Sequence, residues 1–239
     1  MPGAVPGALQ GEVLRIETLD LHVAPFDWAF ARERRGEIDA HFETARRDKP
    51  GLWNGRVLLM HAHEIDGACL RGRYFETDFA SFMAWRDFGF PGDGVTNCFA
   101  LGALQGSDGA YVLGVMDAGT MNGGKIYFPG GTPDLNDIVD GEVDLDASVR
   151  REVREETGLD PDDFTIDSGW HCLPAGPMIA LLKPMRARET ADQLRDRIRG
   201  HIARETEPEL ADAYVAHGAG DIDPMMPGFI QTFLRSAAA

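Results

Sequence analysis

Three carboxylates fall within little more than one helical turn at Glu152, Glu155 and Glu156, interleaved with Arg151 and Arg154. On a helix, positions three and four apart share a face, so Glu155 and Glu156 flank the ridge above Glu152. Carboxylates crowded in this way repel one another, an arrangement tolerated where a hard cation such as Mg²⁺ sits among oxygen ligands. A divalent metal held in this way offsets negative charge on oxygen and lowers the pKa of a bound water. The plainer alternative is a solvated helix face whose charge the two arginines neutralise.

The residues around the run specify a helix that would carry it. Asp144 or Asp146 can cap its start, where the N-terminal end favours acidic groups. Leu145, Val149 and Val153 recur at four-residue spacing and form an apolar stripe. That stripe faces a core, which turns the carboxylates toward a cleft. Gly158 suits the left-handed position that ends a helix. Arg151 lies four residues before Glu155 and can pair with it.

The run Arg-Glu-Val-Arg-Glu-Glu-Thr-Gly-Leu over residues 151–159, with Phe128, Pro129, Gly130 and Gly131 upstream, resembles the signature of the Nudix hydrolases. The resemblance implies an α/β fold, a Nudix-type α/β/α sandwich with a mixed sheet. It implies hydrolysis of a diphosphate linkage in a nucleoside diphosphate joined to another moiety (a nucleotide sugar, ADP-ribose, CoA or a related group), with Mg²⁺ or Mn²⁺ as cofactor. Glu152, Glu155 and Glu156 become the metal-ligand candidates, joined by the backbone carbonyl of Gly130. Glu152, Glu155 and Arg151 become the catalytic set, with the arginine orienting a glutamate. The general base stays open among Glu152, Glu155 and the later Glu205, Glu207 and Glu209. A non-catalytic nucleotide-binding sensor is the alternative, although such modules often lose the helix carboxylates. An isoprenoid diphosphate isomerase of related fold would need a catalytic cysteine, and Cys98 on its apolar strand reads as core.

The signature is imperfect. Counting back eight positions from Arg151 reaches Val143, where the pattern has a glutamate; Glu142 and Asp144 are its neighbours. The loop from Gly131 to Arg151 is about six residues longer than the pattern, a difference a surface loop accommodates cheaply. Its Asp134, Asp137, Asp140, Glu142 and Asp144 read as a solvated loop, with a water-mediated role at a second metal as the alternative.

The 239 residues carry a formal charge of −16, which opposes a nucleic-acid-binding surface. A phosphate-bearing small molecule remains compatible, because bound cations invert local charge. No apolar run approaches a membrane span, and the N-terminus lacks the basic and apolar regions of a secretory signal. Cys69, Cys98 and Cys172 are odd in number and scattered, which suggests free thiols in a reducing cytoplasm.

Residues 1–12 read as a loose tail, 13–90 as an N-terminal α+β extension packed on the core, and 91–239 as the hydrolase domain, with homodimerisation open. In the extension, residues 13–23 read as a strand, 27–47 as a helix, 56–62 and 68–75 as a hairpin about Asp66 and Gly67, and the stretch after Thr77 or Asp78 as a helix. Residues 90–94 read as a linker. Strands follow at 95–103, 110–117 and 125–128, then the carboxylate helix, a strand pair within 163–183, a charged helix at 189–205 and a short helix from Pro227. Arg73, Tyr74 and Arg86 are candidate substrate contacts, with aromatic core as the alternative for the tyrosine. Asn54 and Gly55 faintly resemble a segment of nucleotide-sugar-hydrolysing Nudix proteins, but read better as a tight turn. His61 and His63 would share one strand face, where an ordinary face is the simpler account than a metal site.

Overall fold

The apolar segment at the start of the extension breaks at Glu17, and its halves join different sheets. They are β1 (Leu14–Ile16) and β2 (Thr18–Val23) in a computed structural model that describes residues 12–92 and 94–237. The expected tail, apart from Glu12, and Asp93 of the expected linker lie outside the described residues. The single helix read over 27–47 divides into α1 (Ala29–Glu33) and α2 (Arg35–Asp48), because Arg34 leaves helical geometry at φ −107° and ψ 21°. The hairpin runs longer than its apolar centre, as β3 (Arg56–Asp66) and β4 (Cys69–Asp78). Asp78 then caps α3 (Phe79–Asp87) by accepting the Ser81 N–H at 2.9 Å. The turn before β3 lies at Pro50 and Gly51 rather than at Asn54 and Gly55; Asn54 Oδ1 instead accepts the neighbouring Ala80 N–H at 2.8 Å and completes this cap.

The remainder begins with β5 (Asn97–Gln105), β6 (Tyr111–Met116), β7 (Ile126–Tyr127) and β8 (Gly130–Gly131). The long loop then forms β9 (Ile138–Val139) and β10 (Glu142–Val143) before α4 (Leu145–Thr157). The strand pair expected within 163–183 is three strands, β11 (Phe164–Ile166), β12 (Trp170–Ala175) and β13 (Met178–Ala187). The chain closes with α5 (Ala191–Ile202), β14 (Leu210–Ala216) and α6 (Gly228–Ala237).

One sheet has the order β1-β12-β13-β5-β6-β14, with β11 on β13, β7 on β6 and β8 on β5. It is mixed, because β13 and β5 run parallel and its other pairs are antiparallel. Alternation along β5 sends side chains to opposite layers. Cys98, Ala100 and Leu104 pack with Val149 and Val153 of α4 and with Leu194 and Ile198 of α5. Phe99, Leu101 and Ala103 pack with Phe229, Ile230, Phe233 and Leu234 of α6. This is the α/β/α sandwich with a mixed sheet. Gly102 lets α4 lie close on β5, since a Cβ there would meet Val153 Cγ2 at 2.6 Å.

The second sheet has the order β3-β4-β2-β10-β9. Leu21, Leu58, Met60, Leu70 and Tyr74 from its extension strands join the same core as α4. The two sheets exchange strands. From the extension, β1 pairs with β12 of the larger sheet, while β9 and β10 from the long loop build onto β2. A bulge at His61, between Met60 and Ala62, alters the expected placement of the two histidines. His61 stacks on Phe26 at 4.6 Å between centroids. His63 pairs across from Gly72, whose missing Cβ would point at Met60 and Leu21 on the other face. The extra residue of a bulge reverses the alternation, so the pair does not share a face.

Candidate active site

Both ends of α4 are fixed by local chemistry. Asp144 is the cap and accepts the Ala147 N–H at 2.9 Å. Gly158 adopts φ +67° and donates its N–H to the Arg154 carbonyl at 2.9 Å. Leu145, Val149 and Val153 are wholly buried. The first turn is pinned from below by Lys183, a buried residue of β13 whose Nζ lies 2.7 Å from Asp146 Oδ1 and donates to the Ser168 carbonyl at 3.1 Å. The ammonium also sits 4.4 Å from the centroid of the Trp170 ring, where a desolvated cation is attracted by the ring face.

On the opposite face Glu156 has a partner of its own, while Glu152 and Glu155 share one. Glu156 Oε1 accepts the Gly130 N–H at 2.8 Å. Gly130 has φ +133°, and a Cβ there would stand 2.3 Å from the Ala100 carbonyl oxygen; only glycine fits that combination. Arg151 lies 2.6 Å from Glu152 Oε1 and donates to Glu155 Oε2 at 3.2 Å. Its other terminal nitrogen donates to Asp137 Oδ1 at 2.9 Å.

Asp137 therefore revises the reading of the acidic loop. It is 3% exposed, and its second oxygen accepts the Asp134 N–H at 2.9 Å. Neither neighbour of Val143 takes that position: Glu142 is exposed on β10 opposite His22, and Asp144 is the helix cap. Asp134, Asp140, Glu142 and Asp144 are not buried. Sequence spacing missed Asp137 because it looked near Val143. The available signal was the Asp134 and Asp137 pair, spaced as a capping box, which the structure forms.

Glu152, Glu155 and Glu156 line one recess of about 180 Å³ with Glu205, Glu207 and Glu209. Burial pushes the Glu152 carboxyl up to about 7 against the pull of Arg151, and Glu155, Glu209 and Asp137 add to the rise. Burial also raises Glu156 well above the carboxylate range despite its Gly130 N–H, with Glu152, Glu209 and Glu155 contributing. A concentration of hard oxygen donors whose charges oppose one another fits a divalent cation. Among the described residues no three His, Cys, Asp or Glu side chains converge as a ready-made cage. Arg151 ties Glu152 to Glu155, and the Gly130 N–H holds Glu156 separately. Mg²⁺ needs few protein carboxylates, since it keeps several waters.

The recess adjoins a cavity of about 1290 Å³, with Glu152, Glu207, Pro208 and Glu209 lining both. Gly130, Gly131 and Asn97 line the cavity from the larger sheet, and Arg86 reaches it from the extension. Two other candidate contacts lie elsewhere. Tyr74 is fully buried and donates its hydroxyl to the Cys98 carbonyl at 3.0 Å, joining the two sheets. Arg73 is exposed on β4 and is not part of the cavity wall. Cys98 is core, with its thiol pushed up to about 12 by burial. All three cysteines are free.

A family model for the NUDIX domain matches residues 100–218, from within β5 to just beyond β14. This chain belongs to the Nudix family. Membership implies hydrolysis of a pyrophosphate linkage in nucleoside diphosphate derivatives, and Nudix hydrolases generally use divalent metals such as Mg²⁺. Solved structures similar to the Nudix domain include the MutT protein from Methanosarcina mazei Go1, at 16% identity over 59% of this chain and 92% of that chain, with a TM-score of 0.39. DR0079 from Deinococcus radiodurans has 13% identity over 59% and 83%, with a TM-score of 0.40. A Nudix-family hydrolase from Clostridium perfringens has 14% identity over 60% and 96%, with a TM-score of 0.38. The assignment rests on the domain match rather than on these overlaps. Comparison with curated proteins gave no match. Among the described residues no helix is long and apolar enough to cross a membrane.

Proposed function

We propose that this protein is a metal-dependent pyrophosphohydrolase that cleaves the diphosphate linkage of a nucleoside diphosphate joined to another moiety. The observation that carries this reading is the shared wall between the glutamate recess and the large cavity. A substrate in the cavity brings its diphosphate to the edge where Glu152 and Glu209 stand. Glu152, Glu155 and Glu156, with the Gly130 carbonyl, are the groups we assign to hold Mg²⁺ or Mn²⁺. Such a cation, when bound, offsets phosphate charge and makes water a better nucleophile at neutral pH.

The chain's own contribution is positional. Gly130 fixes one oxygen of Glu156, and Arg151, anchored by Asp137, fixes the approach of Glu152 and Glu155. Water adds to one phosphorus, the bridging P–O bond breaks, and two phosphorylated products leave. The proton released by the water passes to Glu152, Glu207 or Glu209, the carboxylates that face both spaces.

The test is release of phosphate or nucleoside monophosphate from a panel of ADP-ribose, UDP-glucose, NADH, dinucleoside polyphosphates, CoA and nucleoside triphosphates with Mg²⁺ or Mn²⁺. Turnover that needs the cation and is lost in Glu152→Gln and Glu156→Gln is the expected result. Absence of turnover across the panel, with a nucleotide still bound, would replace this reading with that of a sensor.

A further inference from the structure

The cavity is larger and less basic than a diphosphate requires. Its volume of about 1290 Å³ exceeds the roughly 300–1,000 Å³ of ordinary small-molecule pockets. Among the described residues its wall carries two basic side chains, Lys49 and Arg86, against six carboxylates. Both bases already have protein acceptors. Lys49 donates to the Thr120 carbonyl, and Arg86 donates to Asp87 at 2.9 Å and to Asn122 at 3.3 Å. A long polyphosphate tail finds no cluster of free donors here.

The extension supplies an apolar part of this wall through Leu52, Trp53, Val57, Phe79 and Phe82. The reach of the cavity away from Gly130 can be read along β5. Leu101 pairs with Gly130, whose N–H holds Glu156. Four residues earlier, Asn97 follows Thr96, which bridges to Met60 of the extension. Asn97 and Gly130 both line the cavity, and at about 3.3 Å per residue along β5 these positions stand roughly 13 Å apart, so the cavity reaches beyond the length of a diphosphate. Trp53 is 80% exposed, whereas Trp28, Trp85 and Trp170 are at 9% or less. Its ring lies over Gly55, where a Cβ would meet it at 2.5 Å.

We infer that this wall is a subsite for a second ring-bearing group, with Trp53 as its stacking residue. The preferred substrate is then a diphosphate joining two nucleosides, rather than a nucleoside triphosphate or a diphosphate ended by a small sugar. The inference rests on the hydrolase reading for its chemistry but not for its binding. Trp53 is the exposed indole, so acrylamide quenching of tryptophan emission reports on it directly.

With Ca²⁺ as the cation, diadenosine diphosphate shields the emission and binds about tenfold more tightly than ADP, the scale of one base stacked on an aromatic side chain. By calorimetry, Trp53→Ala loses this advantage and Trp53→Phe keeps most of it. With Mg²⁺, Trp53→Ala lowers the kcat/KM ratio of diadenosine diphosphate over ATP by a similar factor. Equal binding of ADP and diadenosine diphosphate, or an unchanged ratio in Trp53→Ala, would overturn the subsite. Shielding and tight binding without turnover by any divalent cation would remove the hydrolase reading and leave the subsite standing.

Discussion

Replacing Asp137 tests whether the long loop governs the geometry of α4. In the native protein one oxygen accepts from Arg151 and the other from the Asp134 N–H, and the side chain is 2% exposed. Asp137→Ala removes both bonds and leaves the Asp134 N–H without its acceptor. Losing one partner of a fully buried ion pair costs about 3–5 kcal/mol. Arg151 is 33% exposed and keeps Glu152 and Glu155, so that figure must be discounted toward the surface-pair range. We expect a loss of about 2–3 kcal/mol, combining one charge-assisted bond and one orphaned donor. For a chain of this size that lowers Tm by about 4–12 °C. Asp137→Asn keeps acceptors for the N–H and for a neutral bond to the guanidinium, and should lose about half as much. Arg151, released on one side, closes on Glu152 and Glu155, and Mn²⁺ affinity should fall about 10–100-fold, as when an outer partner of a metal site is lost. Urea denaturation gives the stability and calorimetric Mn²⁺ titration gives the affinity. If Asp137→Ala stays within about 0.5 kcal/mol of wild type, the ordinary scatter of surface substitutions, and binds Mn²⁺ unchanged, the reasoning fails.

Three further outcomes follow from the structure. Gly130→Ala should lose about 2–4 kcal/mol, since the backbone is at φ +133° and the new methyl meets the Ala100 carbonyl; chemical denaturation measures it. Burial pushes the Asp78 carboxyl up, but Arg35 and Ser81 outweigh it and hold the group below its ordinary range. Its stabilising contribution is therefore present at neutral pH and lost as pH falls through the depressed value, so Asp78→Ala should cost about 1–2 kcal/mol at pH 7 and progressively less in urea titrations below pH 4. Tyr74→Phe should cost about 1–2 kcal/mol by leaving the Cys98 carbonyl unpaired, with nucleotide KM unaltered; a raised KM would show that the ring reaches the ligand.

The carboxylate helix was readable because local signals agreed: a cap at Asp144, an apolar stripe at four-residue spacing and a glycine at the end. The layers followed from the alternation of strands and helices. What sequence could not supply were contacts made at a distance. Arg151 finds Asp137 fourteen positions upstream, although the helix periodicity offers only Glu155. Tyr74 carries the composition of a stacking residue, yet its place between the sheets is set by pairing partners far along the chain. The break at Glu17 was invisible because the segment alternates acceptably on both sides of it. The bulge at His61 is likewise a product of pairing, which the strand's own residues do not announce. Lys183, a lone charge in the apolar run 178–185, was, like Asp137, an overlooked residue with a sequence signal, since a lysine is seldom buried without partners.

The passage of β1 into the larger sheet also constrains biosynthesis. Leu14 is among the first described residues of the chain, but its strand partner is Cys172. At about 5–20 residues per second, roughly 8–30 s of synthesis separate the appearance of Leu14 from that of the residue it needs. During that interval β2 and the β3–β4 hairpin can already form their sheet, while β1 hangs from its edge as an apolar strand with free backbone groups. Until Cys172 is made, Ile16, wholly buried in the folded protein, has no partner strand to cover it.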